Sequence, residues 1–181
     1  MKTKTGKEWI KLKKIPMIVL LLAPYLFLLA FLLICYTEGG FTAKALNGIA
    51  GIYLGMLVFV LIPNMAYAWI LEKRGYGLRK LLFWNLLLKL CYIPVYLLVF
   101  AVGIFLGLMI VGMMLIPFLV IFDYSLLLSS SMYGISGIWG LAGAGKFSAA
   151  GAVLLSVCQL MFVADVVCAV YLYCRFGKRL G

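Results

Sequence analysis

Residues 81–96 read LLFWNLLLKLCYIPVY, and the placement of one side chain in them decides the architecture. Lys89 stands among residues that would nearly all dissolve in oil. A charge at the middle of a bilayer is costly, and intramembrane ionisable groups face the bundle interior and pair. Three placements remain open. The stretch is an elbow lying in the membrane plane, with the true span starting at Pro94. Alternatively, Lys89 snorkels from a buried Cα to the headgroups. Or Lys89 is buried inside a helix bundle beside an acidic partner, as a structural pair or as part of a polar cavity.

The surrounding composition supports a bilayer setting. Of 181 residues, 67% are hydrophobic and 12% are charged. A soluble domain of this size is about half apolar and about a quarter charged. Too little polar material is present to cover a water-facing surface, so the chain reads as an integral membrane protein. The formal net charge of +11 does not point to nucleic acid, because the basic residues flank apolar runs. Six lysines precede Pro16, four basic residues surround the turn EKRGYGLRK, and Arg175, Lys178 and Arg179 close the chain. Such clusters set topology and touch anionic lipid headgroups. Around Trp9 and Ile10 they form an interfacial anchor.

Histidine is absent, which removes the commonest general base and most zinc and haem ligation. The five cysteines are odd in number, show no C-x-x-C spacing and lie in apolar segments, so no disulfide framework is expected. The stretch GLAGAGKF (140–147) mimics the start of a phosphate-binding loop. It lacks the Ser or Thr that must follow the lysine to hold magnesium. No catalytic, cofactor or metal site is read from the sequence.

The expected fold is an all-α helical bundle in a single membrane domain, with both termini cytoplasmic. Residues 1–15 form the basic N-terminus, read as the flank of an uncleaved first span. Spans are expected at about 16–36, 47–71, 81–122 and 147–174. Residues 123–146, rich in glycine and serine, are expected as an outer or re-entrant segment, which leaves Lys146 outside. Cutting 81–145 into three gives a six-span alternative. Three basic clusters on one side require an even number of spans in either case.

Depth along the spans singles out a candidate polar cluster. Lys89 lies nine residues past Lys80, ~13 Å deep at the helical rise. Asp165 is ten residues before Arg175, ~15 Å deep. Asn64 is eight before Glu72 and Tyr25 nine past Pro16, at ~12–13 Å. At 100° per residue, Asn85, Lys89, Tyr92 and Tyr96 share one face, the least oily side of the span. Tyr25, Asn64, Asn85, Lys89 and Asp165 are therefore the candidate site, with Lys89–Asp165 as its ion pair. Asp123 is assigned to a different depth. The motifs Gly51-x-x-x-Gly55 and Gly103-x-x-x-Gly107 permit close helix approach, within the monomer or between copies.

The expected role is a multi-pass protein of the cell membrane without enzyme activity, an accessory subunit of a larger membrane complex. The alternative is a small oligomeric transporter or channel using the Lys89/Asp165 level as its site. Anionic lipid on the cytoplasmic side is the expected partner.

Overall fold

The computed structural model describes residues 14–40, 42–108, 115–146 and 148–177, and every regular element among them is helical. Four helices are long and apolar enough to cross a membrane: α1 (Ile15–Thr37), α2 (Ala43–Lys73), α3 (Leu78–Gly107) and α4 (Ile116–Gly143). Two shorter helices follow, α5 (Ala149–Cys158) and α6 (Phe162–Leu172), the second running on into a π-helical turn over Tyr173–Gly177. The interfacial anchor at Trp9 and Ile10, the lysines before it, Phe147, Lys178 and Arg179 lie outside the described residues.

The chain forms two compact units, Met1–Asn64 and Met65–Gly181. In the first, α1 packs on the opening half of α2. Pro16 stands at the start of α1, where its missing N–H costs nothing. Gly39 and Gly40 turn the chain with positive φ, and the Thr42 side chain caps α2 by accepting from the Ala45 N–H at 3.1 Å. Phe27 and Tyr53 meet edge to face, their centroids 6.0 Å apart. Within α2, Leu57–Leu61 widens into a π turn just before Pro63, which has no amide to donate. The Asn64 side-chain amide donates to the Val60 carbonyl in that turn at 2.9 Å.

The second unit is built on α3 and α4, which run antiparallel. Gly134, Gly137 and Gly140 form the seam. A Cβ at Gly134 would come within 2.7 Å of the Asn85 amide, and one at Gly137 within 3.1 Å of Leu82. A Cβ at Gly140 would strike Leu78. The glycine repeat therefore serves backbone-close helix packing. This corrects the expectation of an outer or re-entrant segment over 123–146. Small residues look like a loop to a hydropathy reading, but here they lie on the buried face of a helix. The span expected over 81–122 is likewise divided. Helix α3 starts at Leu78 and ends at Gly107, and α4 starts at Ile116.

The elbow is also overturned. Helix α3 runs unbroken through Lys89 and Pro94, and Lys89 is only 1% exposed.

The last apolar run, 147–174, is not one span. It turns back on itself at Gln159–Met161 to make a helical hairpin of α5 and α6. The Cys168 thiol on α6 faces the Leu155 carbonyl on α5 at 3.8 Å. Leu82, Leu141, Ala152, Leu172 and Phe176 share one buried cluster, so both limbs end where α3 begins. Tyr173 packs on Phe83 at 6.1 Å between centroids, whereas Phe162 at the tip packs on Tyr96 at 5.6 Å. The hairpin thus rises from the Leu78 end of α3, turns near the middle of that helix and returns. Lys146, one turn past Leu141, is consequently at the same end as the Gly75–Gly77 turn, and not at the opposite end as expected.

Candidate functional site

The hairpin tip meets α3 and α4 at Lys89. Its ammonium donates to Asp165 Oδ2 at 2.6 Å and to Ser131 Oγ at 3.0 Å. Ser131 in turn donates to the Gln159 carbonyl at 2.5 Å. Four elements are tied by these three bonds: α3 through Lys89, α4 through Ser131, the end of α5 through Gln159, and α6 through Asp165. All four residues are at most 1% exposed.

Local helix geometry favours this placement of charge. Asp165 sits in the first turn of α6, where unpaired amides give the helix end a partial positive charge. Gln159 caps the C-terminal end of α5, where the last carbonyls carry the opposite sign. The ammonium therefore lies near a negative helix end and the carboxylate at a positive one. Ser131 satisfies a carbonyl that the break in the helix leaves without an intrahelical partner. Irregular backbone at membrane depth persists only where protein buries it and such groups are paired.

The surrounding polar residues are less completely paired. Asp165 Oδ1, both amide atoms of Asn85, both amide atoms of Gln159 and the Ser136 hydroxyl are buried without a hydrogen-bond partner among the described residues. Ser129 and Ser130 are quieter, since their hydroxyls donate to the carbonyls of Ser125 and Leu127 on their own helix, at 2.8 and 3.0 Å.

Of the expected cluster, Asn85, Lys89 and Asp165 belong to the second unit. Lys89 and Asp165 are bonded directly, and Asn85 lies one helical turn away on the same face. Tyr25 and Asn64 belong to the first unit. Tyr25 is 40% exposed on α1, and Asn64 serves the π turn of its own helix. Sequence reasoning missed Ser131 and Gln159. Gln159 was the available clue, as the one amide side chain in the run 147–174.

Two apolar grooves lie elsewhere. One, of about 510 Å³, is bounded in the first unit by Leu22, Phe27, Ile52 and Val60. The other, of about 680 Å³, runs along the hairpin past Leu155, Phe162, Val167 and Tyr171. The chain has the make-up of a multi-pass membrane protein. It matches no protein-family model, no curated protein and no solved structure.

Proposed function

We propose that the chain is a small, non-enzymatic ion-translocating protein of the cell membrane, with Lys89–Asp165 at the hairpin tip as its site. One observation carries this reading. A broken helix ends and restarts near the middle of α3, and it does so on a buried ion pair. Discontinuous helices whose ends meet at mid-membrane beside charged groups are how many membrane transporters build their binding sites. A helix bundle that needed only to be stable would be simpler with an unbroken apolar helix in that place, since a buried ion pair gives little net stability over a hydrophobic replacement.

In this reading the basic end of the second unit faces the cytoplasm. Lys73, Arg74, Arg79, Lys80, Lys146 and Arg175 then lie against anionic headgroups, in accord with the positive-inside rule. The sealed ion pair corresponds to an occluded state.

A second reading, an accessory subunit, is favoured by the open groove along the hairpin, where Val163 is 81% exposed. In that case the ion pair only fixes the hairpin, and the groove takes a helix of a larger complex.

Purified protein in vesicles decides between them. Efflux of K⁺, Cl⁻ or H⁺ above the protein-free leak, lost in a folded Lys89→Gln/Asp165→Asn double variant, supports translocation. No flux of any of the three, together with migration of the native protein in an assembly larger than its own oligomer, supports the accessory reading instead.

A further inference from the structure

A second carboxylate extends the site along the seam between α3 and α4. The register set by Leu82 with Gly137, Asn85 with Gly134 and Lys89 with Ser131 carries on to place Tyr96 opposite Asp123. Tyr96 is within electrostatic reach of both Asp123 and Asp165, and of the Ser130 hydroxyl. Asp123 Oδ1 is buried and has no hydrogen-bond partner among the described residues, the same condition as Asp165 Oδ1. On the other side of the ion pair come Gln159 and Asn85, both buried to 1% exposure or less and both with unpaired polar atoms, and the Tyr96 hydroxyl is likewise buried without a partner among the described residues.

From Asn85 to Tyr96 is eleven residues of α3, or ~17 Å at the helical rise. That covers about half of a hydrocarbon core about 30 Å thick. An unpaired buried polar atom is costly, and most are bonded to protein or to ordered water. Five side chains in that condition along one seam exceed what helix packing calls for. Leucine or alanine would fill the same positions at less cost.

We infer that this seam is a proton path, in which water bridges the polar groups of Asp123, Tyr96, Gln159 and Asn85, with Lys89–Asp165 as its central proton-exchanging pair. The inference rests on the translocation reading above and names its substrate. The proton is the ion that fits, because the path is closed to 1% exposure at its centre. A metal ion or a halide needs space for itself, whereas a proton moves by exchange of O–H and N–H bonds between groups already in place.

The bookkeeping of the step is simple. A proton arriving from the Tyr96 end forms an O–H bond on Asp123. Passage through water beside Tyr96 and Ser130 makes one O–H bond and breaks one at each transfer, and delivers a proton to Asp165. The acid is now neutral and no longer holds the ammonium. Lys89 releases one N–H proton to water beside Gln159 and Asn85, which passes it toward the Leu78 end of α3. Lys89 then takes the proton from Asp165, and the ion pair is restored. One proton has entered and one has left.

The test uses the full chain in vesicles of phosphatidylethanolamine and phosphatidylglycerol, with a trapped pH dye and with K⁺ and valinomycin holding the voltage at zero. An imposed pH gradient should decay faster than in protein-free vesicles. Asp123→Asn and Tyr96→Phe should bring the decay down to the protein-free rate, with the unfolding midpoint of the wild type. Asp123→Glu should retain flux, and Gly143→Ala, which has open space around it, should not alter it. A wild-type rate equal to bare lipid would overturn the inference, as would full flux in a folded Asp123→Asn protein. If K⁺ or Cl⁻ moves instead, and stops in the folded Lys89→Gln/Asp165→Asn double variant, the proton is the wrong ion but translocation stands. If none of the three moves, both readings fall.

Discussion

Replacing Asp165 by asparagine should destabilise the second unit severely, and the size of the effect follows from the geometry. Lys89 and Asp165 are 2.6 Å apart and at most 1% exposed. At that distance and an effective dielectric constant of about 20, their attraction is about 6 kcal/mol. Desolvation of both charges offsets much of this in the intact pair. Asp165→Asn keeps the volume and the lysine but removes the attraction, so the desolvation of the ammonium is left uncompensated. Breaking a buried pair in this way costs about 3–5 kcal/mol.

Lys89→Gln should cost a similar amount for the mirror reason. The double variant removes both charges and leaves two amides that can bond each other, so it should be more stable than either single. The coupling energy is then at least as large as one single effect, about 3 kcal/mol. Reversible unfolding in mixed dodecylmaltoside and dodecyl sulfate micelles measures it, with fluorescence of Trp84 and the other three tryptophans as the readout. Single variants as mild as the double would refute the pairing argument.

Ser131→Ala should lower stability by about 1–3 kcal/mol in the same assay, because it strips a bond from the Gln159 carbonyl and another from Lys89. Gly134→Ala should cost about 1–3 kcal/mol, since its methyl group would overlap the Asn85 amide, while Gly143→Ala should be neutral in the same titration. Asn85→Ala placed on Gly134→Ala should recover part of the loss by making room for that methyl group. A Gly134→Ala protein as stable as wild type would show that α3 and α4 are not in close contact there.

Three features of the sequence point to the ion pair: equal distance from the basic ends, opposite charge, and the face shared by Asn85, Lys89, Tyr92 and Tyr96. Counting ten residues back from Arg175 gives the depth of Asp165 whether its helix crosses the membrane or only returns to the side it left. The limb containing Asp165 does return to the Leu78 end of α3, so Asp165 still meets Lys89 although 147–174 is not one span. The hairpin itself was not legible. Its turn at Gln159–Met161 contains neither glycine nor proline, and hydropathy does not register a reversal of direction inside an apolar run.

The reading of 123–146 failed for a different reason. Serine and glycine make a segment polar and flexible on average. Here Ser129–Ser131 bond to carbonyls, and Gly134, Gly137 and Gly140 face α3. What those residues do depends on a partner helix that the sequence does not identify.

The re-entrant hairpin is the claim on which the site depends, and cysteine labelling from the two sides of the membrane tests it most directly. The background is a chain with its five native cysteines replaced, into which Thr37→Cys, Arg74→Cys, Lys146→Cys and Arg175→Cys are introduced singly. A hairpin that enters and leaves on one side predicts that positions 74, 146 and 175 react with an impermeant maleimide from the same side, and position 37 from the other. A single span over 147–174 separates positions 146 and 175, so that one of them reacts from the side of position 37, and that result would contradict the hairpin and the site built at its tip.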